Sequence, residues 1–254
     1  MLATLPLASL EVMMLAAVRV TAFLVIAPPF SHNAIPLRIK GMLGIGLALA
    51  VTPRMSAGYE SLDTGEFLAA ILAELLAGAA MGFLVMVLFS AIQAAGGLID
   101  LFGGFAMAQG FDPQSMVNGA QFTRFFHFAA LALLVASDGY QLVLAGVFRS
   151  FDAVPLGGGI GLPGLSESLV SAVGSMFLAA VQIAGPLLVV LVLADIGLGL
   201  LTRAAPALNA FAMGFPLKIM LTLMLVGTVF VVLPALVSSL VRSALSLLGA
   251  VMGQ

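Results

Sequence analysis

Cysteine is absent from all 254 residues, so the chain can form no disulfide and no thiolate-ligated metal site. Charge is nearly absent as well. Asp, Glu, Lys and Arg together make up 8% of the chain, against roughly 25% in a soluble domain. Nine basic and eleven acidic side chains leave a net charge of −2, with no patch basic enough to hold nucleic acid. The two histidines, His32 and His127, lie far apart and belong to no metal-binding spacing, so no metal or cofactor is expected. His127, in "RFFHFAA", reads as a packing residue. There is no phosphate loop with its lysine and no nucleophile elbow. Asp100 and Asp195 have nothing around them to suggest a paired-carboxylate protease. Catalysis is therefore not expected. No Lys or Arg precedes the first apolar run, which contains Glu11, so the N-terminus is a poor cleaved signal peptide. The first helix is expected to insert and stay.

What is present is apolar. Hydrophobic residues make up 62% of the chain and the mean hydropathy is +1.23. Several uncharged runs reach the ~20 residues that cross a ~30 Å hydrocarbon layer. The expected fold class is all-α, with long hydrophobic helices and helical hairpins, membrane-associated. Six or seven helical segments are predicted. The first covers about Leu7 to Ala27 and stops at Pro28-Pro29. A short one, about Gly41 to Val51, follows the basic stretch Arg38-Ile-Lys40. A very long one runs from near Phe67 to at least Ala95. Another covers about Gln121 to Phe148, with a break near Ser137-Asp138-Gly139. Two long ones, about Ser171 to Thr202 and Pro216 to Leu248, close the chain, the former interrupted at Gly185-Pro186.

Gly78 and Gly82 form a GxxxG on the long third segment, a spacing that lets helix backbones approach closely in lipid. Glu11, Arg19, Glu74 and Asp195 are ionisable groups inside apolar segments, where charge is costly and marks function or pairing. Pairing with one another or with neighbouring subunits is the favoured reading. The stretch Gly96 to Gly119 contains six glycines together with Phe102, Phe105, Phe111, Met107 and Met116. A connection so poor in polar residues is either buried filler or an apolar constriction that closes a water path by dewetting.

Three blocks in order, "GGLIDLFGGFAMAQGFDPQS", "SDGYQLVLAGVFRSFDAVPLG" and "ADIGLGLLTRAAPALNAFAMGFPLK", resemble the flagellar biosynthetic protein FliR family and its relatives in virulence type III secretion. The resemblance covers essentially the whole chain. It implies a non-catalytic subunit of the flagellar protein export gate in the bacterial inner (cytoplasmic) membrane, at the basal body. Such a subunit completes a helical ring with FliP- and FliQ-family proteins, with FlhB- and FlhA-family proteins as further partners. Unfolded secreted polypeptides pass through the ring, and membrane lipid surrounds part of it. The resemblance divides the chain into a FliP-like region, 1–165, carrying a plug segment at about 96–119, and a FliQ-like hairpin, 166–254, with its tip at about 204–215. It implies a pore plug at Phe102, Phe105, Met107, Phe111, Asp112 and Pro113. The alternative function, from composition alone, is a small-solute carrier or channel.

The hairpin has its own physical logic. Pro206 cannot continue the preceding helix, Pro216 suits the first turn of the next, and Asn209 is a turn residue. Asp195 and Arg203 are separated by ~12 Å along a helix and cannot pair with each other. Arg203 complements the dipole of a helix C-terminus, whereas Lys218 near a helix N-terminus does not and must answer an acid elsewhere. Asp195, Arg203, Pro206, Asn209, Phe215, Pro216 and Lys218 are thus the candidates for hairpin and inter-subunit contacts.

Overall fold

In a computed structural model, residues 7–105, 121–158, 161–205 and 210–252 are described. Among these the secondary structure is helical, with no strand. The helices are α1 (Leu7–Ile26), α2 (Leu37–Met55), α3 (Thr64–Phe102), α4 (Gln121–Ala136), α5 (Gly139–Ala153), α6 (Leu162–Ala204) and α7 (Ala210–Val251). The all-α expectation holds. Four helices, α1, α3, α6 and α7, are long and apolar enough to cross a membrane, and α4 with α5 would make a fifth span as a bent pair. This is a membrane protein.

Several boundaries differ from the sequence reading. Helix α2 starts earlier, because Pro36 launches it: the Pro36 carbonyl accepts from the N–H groups of Ile39 (2.9 Å) and Lys40 (3.2 Å). Arg38 and Lys40 therefore lie inside the helix. The third segment extends to Phe102, so the first residues of the Gly- and Phe-rich connection are helical. At 39 residues it spans ~58 Å. Helix α6 runs unbroken through Pro186, since one missing N–H is tolerable in an apolar helix. Pro216 lies well inside α7, which begins at Ala210, and Pro234 lies further along the same helix. The break between α4 and α5 falls where expected. Asp138 takes a left-handed conformation (φ 54°) there, and the two helices bend by 74°.

The chain forms two compact units. The first combines residues 1–88, 134–173 and 239–254. Its core is built on α1, whose Val12, Leu15, Ala16, Val20 and Phe23 are buried, and on the matching face of α3 at Ala77, Met81 and Leu84. The GxxxG pair sets how close these two helices come. A Cβ on Gly78 would collide with the Arg19 carbonyl, and one on Gly82 would sit 3.0 Å from the Phe23 carbonyl oxygen. The second unit combines residues 89–133 and 174–238. Ile92, Ile99, Phe126, Leu191 and Leu233 form its buried centre.

Candidate functional site

Arg19 is 1% exposed in the core of the first unit. Its Nε donates to Oε2 of Glu74, and Nη2 donates to Oε1 of Glu74 (2.9 Å) and to the Val154 carbonyl (3.1 Å). Nη1 donates to the Ser150 carbonyl (3.0 Å) and hydroxyl (3.2 Å). All five N–H donors of the guanidinium are thus used. Its Cζ lies over the Phe151 ring, 4.5 Å from the ring centre. Two of the acceptors are the Ser150 and Val154 carbonyls at the C-terminal end of α5, where the negative end of the helix dipole lies; the Ser150 carbonyl also accepts the Val154 N–H (2.9 Å). Glu74 Oε1 also accepts the Gly157 N–H (2.8 Å), which fastens the link after α5 to α3. The sequence flagged Arg19 and Glu74 as ionisable groups needing partners. It had no signal for the backbone acceptors, because carbonyl groups are the same at every position.

In the second unit, the C-terminal end of α3 meets the start of α4. Asp100, 1% exposed, accepts from the N–H groups of Phe122 (3.0 Å) and Thr123 (2.8 Å) and from the Thr123 hydroxyl (2.9 Å). These are first-turn donors of α4 that no intrahelical carbonyl reaches, and an anion there also meets the positive dipole end. Gly96 permits the approach, since a Cβ there would lie 2.6 Å from the Phe122 carbonyl oxygen. Sequence reading considered Asp100 only as a catalytic carboxylate. Its role as a cap depends on a helix start 22 residues away.

Beyond Asp100 the chain turns at Gly103 and Gly104. Gly104 has φ +84°, a left-handed conformation that favours glycine. A side chain there would press on the Phe215 ring at 3.3 Å. Phe105 then meets Phe122 edge-to-face, centroids 5.0 Å apart. Phe122, Phe126 and Phe230 continue the aromatic cluster, with Phe126 and Phe230 stacked at 5.3 Å. Of the expected plug residues, Phe102 and Phe105 are half-buried. Met107, Phe111, Asp112 and Pro113 lie outside the described residues.

At the hairpin, the Lys218 ammonium lies 2.6 Å from Asp195. The acid that Lys218 answers is therefore in the same chain, on the facing helix. Lys218 is 21% exposed and Asp195 46%. Arg203 is exposed in the last turn of α6. Gly214 keeps the two helices close, since a Cβ there would touch Leu198 at 3.2 Å. Pro206 and Asn209 lie outside the described residues. Among those described, no cluster of His, Asp and Glu could hold a metal.

Residues 10–244 match the family described as bacterial export proteins, family 1. The flagellar biosynthetic protein FliR of Pectobacterium carotovorum subsp. carotovorum is 28% identical, over 93% of this chain and 91% of the relative. That of Escherichia coli (strain K12) is 32% identical, over 79% and 77%. The Yop proteins translocation protein T of Yersinia pestis is 29% identical, over 79% and 78%. On a match running almost end to end, the chain belongs to the bacterial export proteins of family 1 and, within them, to the FliR family, which makes it a component of a protein-export apparatus.

Proposed function

We propose that this chain is a non-catalytic subunit of the flagellar type III protein export gate. It completes a helical ring with FliP- and FliQ-family proteins in the cytoplasmic membrane, at the basal body, and FlhB- and FlhA-family proteins adjoin it. Unfolded flagellar polypeptides are the cargo. In this reading residues 1–165 take the FliP-like place and 166–254 the FliQ-like place, with the tip of the hairpin toward the cytoplasm. The family membership supports it, as do the large apolar side chains left exposed on the long helices. Leu76 is 69% exposed, Met224 72% and Val231 82%. Such surfaces call for lipid or for neighbouring subunits.

The plug belongs to the same reading, and one observation carries it. Phe105 and Phe122, the rings on either side of residues 106–121, are in mutual contact, so the described ends of this stretch lie side by side. The flanks are further held by Asp100 and by the Gly104–Phe215 contact. A segment that carries Met107, Phe111 and Met116 between ends held this way suits a deformable apolar seal.

The test is ion conductance of the co-assembled complex in planar bilayers. Phe111→Ser, or deletion within 103–110, raises the leak if the segment seals the pore, and unchanged conductance removes the plug. Solute flux by the isolated chain in liposomes would instead favour a carrier.

A further inference from the structure

A cavity of about 190 Å³ opens in the first unit where the C-terminal ends of α2 and α5 meet. Val51, Met55, Phe148 and Phe151 give it apolar walls, and Arg54 and Asp152 line it as well. Arg54 Nη2 lies 3.4 Å from Asp152 Oδ1, longer than the roughly 2.7–2.9 Å of a good charged hydrogen bond. Neither side chain has another polar partner among the described residues. Both are open to solvent, Arg54 at 75% and Asp152 at 43%. Most of the arginine's donors and of the carboxylate's lone pairs are therefore unused.

The local field asks for more positive charge than Arg54 supplies. Two helix C-termini bring their negative dipole ends together here, and Asp152 stands in the last turn of α5, where an acid is disfavoured. The position is interfacial. Helix α5 ends a candidate span, and the connection after α2 exposes Glu60 and Asp63.

We propose that this cavity holds the headgroup of an ethanolamine phospholipid, with its phosphate on Arg54 and its ammonium on Asp152. Opposite charges joined by a two-carbon tether match an arginine and a carboxylate set side by side. A purely anionic headgroup satisfies Arg54 but meets Asp152 as a like charge. A choline headgroup has the same charges but no N–H to give the carboxylate. The cavity has room for the headgroup and not for the acyl chains. Leu49, 53% exposed beside the lining residues of α2, offers them apolar surface. The proposal needs only a membrane setting and stands apart from the export-gate reading.

The test titrates the full chain, delipidated in detergent, with phosphatidylethanolamine, phosphatidylcholine and phosphatidylglycerol of one acyl composition, read by native mass spectrometry. The unsubstituted chain should bind the ethanolamine lipid first, roughly tenfold ahead of the choline lipid, the worth of a charged hydrogen bond. Asp152→Asn should erase that preference and raise binding of the glycerol lipid. Arg54→Gln should weaken the ethanolamine lipid by a similar factor, and Arg54→Lys should keep most of it. Arg38→Gln, exposed at the other end of α2, should change nothing. Equal binding of all three lipids by the unsubstituted chain, or first place for the glycerol lipid, overturns the proposal. So does an ethanolamine preference that survives both Asp152→Asn and Arg54→Gln. Displacement of the lipid by an equal concentration of glycerophosphoethanolamine, which has no acyl chains, overturns the lipid as occupant.

Discussion

Arg19 and Glu74, 55 residues apart in the chain, meet in a buried ion pair where every guanidinium N–H has an acceptor. This pair joins α1 to α3, and its remaining hydrogen bonds fasten the end of α5 and the link after it. Removing one partner leaves an unanswered buried charge, a loss of about 3–5 kcal/mol. Arg19→Met and Glu74→Met should each lower the denaturation midpoint of the detergent-solubilised protein sharply. The double substitution should cost less than the sum of the two. Additive losses would show that the residues do not act as a pair.

Asp100 offers a second case in which one side chain satisfies several buried donors. Asp100→Ala leaves the Phe122 and Thr123 N–H groups without an acceptor, at about 1–3 kcal/mol per unsatisfied group. Hydrogen exchange should rise at the start of α4, and the middle of that helix should stay protected. Uniform protection throughout would mean that Asp100 does not cap the helix.

The Lys218–Asp195 bridge is partly exposed, which limits its value to about 0.2–1 kcal/mol. Lys218→Glu should therefore leave membrane insertion and the midpoint nearly unchanged. Under the proposed function, recovery of the assembled ring should fall with Lys218→Glu, and the exchange Lys218→Asp with Asp195→Lys should restore part of it. Unimpaired assembly of Lys218→Glu would reduce the bridge to a local feature of the hairpin.

Tyr59, in the connection between α2 and α3, has its phenol pKa raised above the usual 10.0, first by burial and then by the negative charge of Glu11. Glu11 is held nearby, where its carboxylate accepts the Leu62 N–H (3.2 Å). The folded state thus holds the phenolic proton more tightly than the unfolded state. Its contribution is complete below the ordinary phenol value of about 10 and is lost as pH climbs through the raised value. Tyr59→Phe should flatten the fall of the denaturation midpoint in that alkaline window. A wild-type profile identical to that of the variant would discount Tyr59 as a titrating group.

The sequence by itself determined the chemistry of the surroundings and most of the helices. With so little charge, long apolar runs have nowhere to go but lipid or other apolar helices, and the hydrogen bonds they need are all local. The break at Asp138 was equally legible, since Ser-Asp-Gly disfavours continuing a helix. The prolines at 186 and 216 misled, because a proline removes one hydrogen bond but packing decides whether the helix survives the loss. Only the tertiary structure decided which charge meets which. Arg19 meets Glu74, Lys218 meets Asp195, and Asp100 meets the backbone of α4, across separations that no local periodicity encodes. Gly78 was legible as a packing glycine, yet its particular neighbour, the Arg19 carbonyl, follows from how α1 crosses α3. Contacts between distant segments depend on the summed packing of whole helices, and that sum is written in no single stretch of residues.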